Sequence, residues 1–154
     1  MELFGDWVEY MLWDFFVSGS ESDRDWAEWV AFHLERAGHH VRVEVRDRAP
    51  GHNWVHRLDE VVRSSRRTLV LLSPAYLADE ALASEWHSAW ESDPAGVRRT
   101  LVPVRVAECR PEGLLRDLRC IDLVGLDKRL AAARLLDGID GTRSREDRPR
   151  LFPR

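Results

Sequence analysis

The sequence has few cysteines, no long hydrophobic run and no excess of positive charge, and each shortage excludes a class of protein. Its two cysteines, Cys109 and Cys120, lack the spacing of a metal site, and we expect both to be buried thiols. No apolar stretch approaches the roughly 20 residues that a membrane-spanning helix needs. The formal net charge of -4 disfavours broad nucleic-acid binding, because phosphate affinity comes from clustered lysine and arginine.

Several recognisable signals are also missing. The chain contains neither a Gly-x-Gly-x-x-Gly pattern nor a P-loop, so the sequence gives no sign of a bound redox dinucleotide. Residues 1–12 lack the basic start and the cleavage site of a secretory signal, which predicts a cytoplasmic protein. His39, His40, His52 and His56 have no convincing metal-ligand spacing, so we expect solvated histidines and no metal.

The length of 154 residues predicts one domain with a full core. We divide the chain into an N-terminal extension at 1–12, a domain at 13–138 and a tail at 139–154. The tail is rich in arginine and proline and has little to bury, so we interpret it as a solvated linker. Its last residues are typical of an interdomain connection, from which we expect an additional domain or a separately encoded sensor protein.

Short apolar runs alternate with helical patterns along the domain. We predict strands at 13–17, 41–45, 69–72, 101–106 and 120–123, and helices at 22–37, 54–64, 79–90 and 127–136. The strand at 41–45 has one polar face, which suits an edge, whereas 69–72 is apolar on both faces, which suits the centre. Strands that alternate with helices imply an α/β fold whose parallel sheet is covered on both faces.

Two of the predicted strands are followed directly by a serine and lead into a helix. The first elbow is Ser18-Gly19-Ser20, and the second begins at Ser73 and continues to Tyr76. Both place hydroxyls, backbone amides and a helix N-terminus at the carboxyl edge of one parallel sheet, which is where ligands bind. The amides of the first elbow are suited to face a diphosphate.

These elbows, with the loop 47–51 between them and Ser84-Glu85-Trp86 after them, resemble a Toll/interleukin-1 receptor (TIR) domain of the bacterial kind. The resemblance extends from Trp13 to Leu136 and rests on four ordered blocks. It implies a flavodoxin-like three-layer sandwich with a five-stranded parallel sheet. It also implies self-association of TIR domains into a homo-oligomer on activation.

The resemblance further implies an enzyme that cleaves the nicotinamide–ribose bond of NAD+, as a glycohydrolase or cyclase in bacterial antiphage defence or signalling. By position, Glu85 matches the glutamate that TIR enzymes use for this step. A carboxylate stabilises the oxocarbenium-like ribosyl centre, and nicotinamide leaves as a neutral group, so neither a general acid nor a cofactor is required. For a lone glutamate, the alternative of a solvated helix residue would be favoured.

The substrate-binding residues that the resemblance implies come from both elbows and the loop between them: Ser18, Gly19, Ser20, Asp47, Trp54, Ser73 and Tyr76. Trp54 lies where TIR enzymes carry a side chain that packs on the nucleotide, although a core tryptophan at a helix start is an equal alternative. Ser73 lacks the Gly-x-Ser-x-Gly elbow of a nucleophile, so we expect it to cap a helix. The sequence departs from the family at Gly19 and Ala81, where an aromatic residue is usual.

A binding module is the second class of function that the resemblance allows. TIR domains also act as non-catalytic scaffolds by pairing with one another through the loop at 46–53 and the helices beside it. The presence of Glu85 is weak evidence for an enzyme over a scaffold, because a scaffold can retain the residue. A receiver domain of a response regulator is disfavoured, since Ser73 stands where such a protein needs a phosphoacceptor aspartate.

Overall fold

The computed structural model describes residues 13–43, 64–96 and 98–141, which form a parallel β-sheet with helices on both faces. The strands are β1 (Trp13–Ser18), β2 (Val41–Val43), β3 (Ser65–Leu72), β4 (Leu101–Arg105) and β5 (Ile121–Asp122). The helices are α1 (Arg24–Arg36), α2 (Pro74–Ala78), α3 (Glu80–Ser92), α4 (Leu114–Asp117) and α5 (Lys128–Asp140), and a 3-10 turn at Glu21–Asp23 precedes α1. The predicted α/β class is confirmed.

The order of the strands is β2-β1-β3-β4-β5, and every neighbouring pair is parallel. The central position of β3 agrees with its sequence, because the apolar run from Leu69 to Leu72 is fully buried. The edge position of β2 likewise agrees with its polar face. Parallel strands bring the carboxyl ends of β1 and β3 together, with Ser18 opposite Val70 in the pairing.

The two faces of the sheet carry separate hydrophobic clusters. Helices α1 and α5 cover one face, where the buried residues include Val30, Leu34, Leu135 and Ile139 together with Leu69 and Leu71 of the sheet. Helices α2, α3 and α4 cover the other face, where the cluster is Val70, Leu72, Tyr76, Leu82 and Leu115. The alternation of Leu69 and Leu71 with Val70 and Leu72 follows the pleat of a strand, and it gives the three predicted layers.

The start of β3 corrects one prediction. We predicted a helix that ends near Ser64 and a strand that begins only at Leu69, but β3 already begins at Ser65 and includes Arg66 and Arg67. Arg67 donates through Nη1 to the carbonyl oxygen of Ile139 at 2.8 Å, near the end of α5, and burial followed by nearby Arg99 lowers its pKa. A guanidinium in this strand is tolerated because helix C-terminal carbonyls accept its hydrogen bond. Residues 54–63 of that predicted helix lie outside the described ranges, and Ser64 lies in a turn.

Other boundaries also differ from the predictions. The helix expected at 79–90 is preceded by the separate helix α2, because Asp79 is extended and its carboxylate caps Ala81 N at 3.0 Å. Helix α5 continues to Asp140, since Ile139 is still part of the core. The helix predicted at 22–37 begins at Arg24, with Asp23 at its N-cap position, and it ends at Arg36, two residues before Gly38, which has a φ of +96°.

The two cysteines differ in their exposure to solvent. Cys109 is half-buried and Cys120 is exposed, so the expectation of two buried thiols is wrong. The predicted strand at 120–123 is only Ile121–Asp122. Within the described ranges, no helix combines the length and the hydrophobicity needed to cross a bilayer.

Candidate functional site

The fold brings the two serine elbows side by side. Ser18 is the last residue of β1, and Ser73 directly follows β3, so both hydroxyls lie at the carboxyl edge of neighbouring parallel strands. Ser18, Ser20, Ser73, Tyr76 and Glu85 are all buried. Of the predicted elbow residues, Ser18 is hydrogen-bonded to Glu85 and to Tyr76, whereas Ser20 and Ser73 are hydrogen-bonded to Asp23.

Glu85 lies on the buried face of α3, between Leu82 and Ala89. Only 2% of the residue is exposed, and its Oε2 accepts a hydrogen bond from the Ser18 hydroxyl. This burial rules out the alternative of a solvated helix residue. A carboxyl group is kept at such a position only when polar partners compensate for the loss of water.

Tyr76 extends this arrangement. Its phenol oxygen lies 3.0 Å from Ser18 Oγ. The single hydroxyl hydrogen of Ser18 is directed at Glu85, so the phenol donates to the serine oxygen. The result is a directional chain of hydrogen bonds from Tyr76 through Ser18 to the carboxylate, in which each bond polarises the next.

Ser73 is the N-cap of α2, as predicted. Its Oγ accepts from the backbone N–H of Tyr76 at 3.1 Å, which fixes the start of the helix that carries the phenol. The same hydroxyl donates to Oδ2 of Asp23 at 2.5 Å. Ser73 thus connects the second elbow to the first.

Asp23 is the functional candidate that the sequence reasoning missed. Its Oδ2 also accepts from Ser20 Oγ at 2.8 Å, so one carboxylate oxygen joins both elbows. By its position before α1, Asp23 also interacts favourably with the helix dipole. The sequence offered one signal, since an acid three residues after Ser20 can reach the Ser20 hydroxyl. The second partner of Asp23, Ser73, is distant in the sequence.

Comparison with protein families identifies the fold. Residues 15–136 match the family described as the TIR domain. The chain belongs to the TIR-domain family. Among curated proteins, none matches it.

Solved TIR-containing structures share the fold of this TIR domain. The TIR domain of the Toll-related receptor TRR-2 from Hydra magnipapillata has a TM-score of 0.63 and 24% identity, over 83% of this chain and 98% of that one. A TIR-STING receptor from C. gigas has a TM-score of 0.64 and 21% identity, over 84% of this chain. The same receptor in complex with 2',3'-cGAMP has a TM-score of 0.67 and 22% identity, over 84% of this chain. This chain spans 40% of the C. gigas receptor.

The two departures from the usual TIR sequence have different surroundings. A Cβ atom on Gly19 would lie 3.3 Å from Cδ1 of Leu71 and 3.9 Å from the Cβ of Ala27. Glycine therefore lets the first elbow approach the core closely. The Cβ atom of an aromatic residue at this position would be directed toward core atoms. Ala81, in contrast, is exposed on α3.

The remaining predictions about the site concern the loop and metals. Asp47 and Trp54 lie outside the described residues. Within the described ranges, no three histidine, cysteine or acidic side chains gather to hold a metal ion. The chemistry visible at the carboxyl edge is that of two carboxylates, three serine hydroxyls and one phenol.

Proposed function

We propose that this TIR domain cleaves the nicotinamide–ribose bond of NAD+, as a glycohydrolase or cyclase, with Glu85 as the catalytic carboxylate. The observation that carries the proposal is the burial of Glu85 at the carboxyl edge of the sheet, with its Oε2 bonded to Ser18. The TIR family includes NAD+-cleaving enzymes as well as non-catalytic members. A buried acid oriented by a neighbouring hydroxyl favours the catalytic class.

The chemistry needs little beyond a correctly placed negative charge. As the glycosidic bond breaks, positive charge develops on the ribosyl carbon, and a carboxylate in a poorly hydrated site stabilises that charge more than it would in water. Nicotinamide leaves with the electron pair of the broken bond as a neutral group, so it needs no proton. The ribosyl carbon then bonds to water, which loses a proton to solvent, in a glycohydrolase, or to another atom of the same substrate in a cyclase. NAD+ is then the substrate, and no separate cofactor takes part.

The charge of Asp23 affects the orientation in which we expect NAD+ to bind. We propose that NAD+ binds against the elbow residues Ser18, Gly19, Ser20, Ser73 and Tyr76, and that Asp47 and Trp54 contact the nucleotide from the loop. A negative charge on Asp23 repels a diphosphate and attracts the cationic nicotinamide ring. We therefore assign the nicotinamide–ribose half of NAD+ to the first elbow, which replaces the sequence-based expectation of a diphosphate there.

The burial of the Glu85 carboxylate gives a reason why self-association of TIR domains would activate the enzyme. A ribose cannot bond to Glu85 in its buried arrangement until the site opens. We propose that TIR–TIR homo-oligomerisation opens and completes the site in a bacterial cytoplasm, within antiphage defence or signalling. An additional domain or a separate sensor protein would supply the trigger.

The test is release of nicotinamide from NAD+ by the purified chain at high concentration. Glu85→Gln, which keeps the size of the side chain and removes its charge, should abolish release. Glu91→Gln is the matched control, because Glu91 is an exposed residue of the same helix. Equal release by the Glu85 variant and the parent would contradict the catalytic assignment, provided that both melt at similar temperatures.

The alternative is a non-catalytic TIR scaffold, and one observation favours it. Ser20 and Ser73 both bond to Asp23, and Ser18 bonds to Glu85, so these hydroxyls already have partners within the protein. If neither the parent nor Glu85→Gln releases nicotinamide while both self-associate equally in sedimentation, the scaffold is the correct function.

A further inference from the structure

A pocket separate from the candidate site lies beside the carboxyl end of β4, on the face of the sheet covered by α4. Its volume is about 510 Å³, and both cysteines of the chain line it. Three arginines and one glutamate are also part of the wall, namely Arg105, Arg110, Arg116 and Glu112. The pocket therefore combines two thiols with the cationic side chains of Arg110 and Arg116, whereas Arg105 is ion-paired with Asp122 and Glu108.

One guanidinium joins the two segments that carry the thiols. Arg105 donates through Nη2 to Oδ2 of Asp122 at 2.8 Å, and through Nη1 to the carbonyl oxygen of Cys109 at 3.4 Å. Cys120 directly precedes β5, in which Asp122 is paired with Arg105. The backbone of Cys109 and the start of β5 are thus held against the same side chain, next to the same pocket.

The two thiols differ in accessibility. Cys120 is exposed, whereas Cys109 packs against the cluster that contains Leu72, Tyr76 and Leu115. Burial raises the pKa of the Cys109 thiol, with a smaller opposing effect from Arg105, and the nearby Cys120 contributes a further increase. The effect of Cys120 on the pKa of Cys109 agrees with their shared position in one pocket.

We propose that Cys109 and Cys120 form a thiol pair that reacts with anionic low-molecular-weight disulfides and closes into an intramolecular disulfide. The exposed Cys120 is the attacking sulfur, and Cys109 is the resolving sulfur. The arginines of the pocket attract the carboxylates of the incoming disulfide. This inference does not depend on NAD+ cleavage.

The reaction balances in two exchange steps. The Cys120 thiolate attacks one sulfur of the small disulfide, which forms a mixed disulfide and releases one small thiolate. The Cys109 thiolate then attacks the Cys120 sulfur of the mixed disulfide and releases the second small thiolate. The two protein thiols are oxidised, the small disulfide is reduced to two thiols, and the leaving thiolates take up the protons.

Glutathione disulfide is the probe, applied to the reduced full chain and followed by intact mass. We expect a transient single glutathionyl adduct, followed by a species that is two hydrogens lighter than the starting protein, with loss of both titratable thiols. Trypsin should then yield residues 106–116 linked to residues 120–128, because Arg110 precedes a proline and is not cleaved. A stable double adduct, or a disulfide between two chains, would overturn the proposal.

Two conservative variants assign the roles. Cys109→Ser should accumulate the single adduct without forming the lighter species, because the resolving sulfur is missing. Cys120→Ser should form its adduct several-fold more slowly than Cys109→Ser, because the remaining thiol is half-buried and its pKa is raised. Equal rates in the two variants, with melting temperatures that match the parent, would show that neither thiol has a distinct role.

Discussion

At the scale of single residues, Asp23 organises the site. One oxygen of its carboxylate accepts hydrogen bonds from Ser20 and Ser73, which belong to different elbows. Ser73 in turn holds the backbone of Tyr76, whose phenol lies against Ser18. Asp23 is therefore linked to the environment of Glu85 through Ser73, Tyr76 and Ser18, and the two acids need no direct contact.

We expect Asp23→Asn to lower the free energy of unfolding by about 1.5 to 3 kcal/mol, because charge-assisted hydrogen bonds to two hydroxyls are lost or weakened. Asp25→Asn is the matched control, since Asp25 is an exposed acid in the first turn of α1 and loses only a dipole interaction. Urea denaturation of both variants measures the difference. Equal destabilisation would show that Asp23 acts through the helix dipole and not as a connection between the elbows.

The family pattern selected several site residues that the structure brings into contact, and their function stays a prediction. Glu85, Ser18 and Tyr76 were selected because the ordered blocks resemble a TIR domain, and the structure places them in contact. Asp23 was missed because its second partner, Ser73, is fifty positions away. No local spacing identifies such a pair, and only the parallel pairing of β1 with β3 brings the two elbows together.

At the scale of elements, the period of hydrophobic residues predicted the strands and helices but not all of their ends. The central and edge strands follow from apolar runs and alternation. The start of β3 does not, because Ser65 and Arg67 are polar and their strand conformation depends on pairing with Trp13 and on the carbonyl of Ile139. Both partners are distant in the sequence, so local propensity gave the wrong element.

The contact between α5 and β5 provides a prediction at this scale. A Cβ atom on Gly138 would lie 2.6 Å from Cδ1 and Cγ1 of Ile121. Alanine is favoured over glycine inside a helix by about 1 kcal/mol, but overpacking costs about 1 to 3 kcal/mol. We expect Gly138→Ala to lower the free energy of unfolding by about 1 kcal/mol, measured by urea denaturation.

Ile121→Ala supplies the control for this close approach, because it removes the atoms that the new methyl group would meet. In that background, Gly138→Ala should be neutral or stabilising, as helix propensity alone predicts. A Gly138→Ala protein that is more stable than the parent, with Ile121 intact, would show that the two elements do not need glycine at their contact.

At the scale of the whole molecule, the three layers position the site by a general property of parallel sheets. Every strand points its carboxyl end to the same edge, and the elbows that follow β1 and β3 collect hydroxyls and carboxylates there. The sequence predicted this arrangement because strands and helices alternate along it. It did not predict how fully Glu85 is covered, since burial depends on the packing of α2 and α3 over the central strand.

The coverage of Glu85 leads to the last prediction, which concerns the concentration dependence of activity. If assembly of TIR domains opens and completes the site, the isolated chain is mainly monomeric and weakly active when dilute. Nicotinamide release per molecule should then rise with protein concentration, in parallel with larger species seen by sedimentation velocity. Asp25→Asn should follow the same curve as the parent, because its charge lies outside the hydrogen-bonded site. A constant rate per molecule from dilute to concentrated protein, with only monomers in solution, would mean that each TIR domain opens its own site and that assembly plays no part in exposing Glu85.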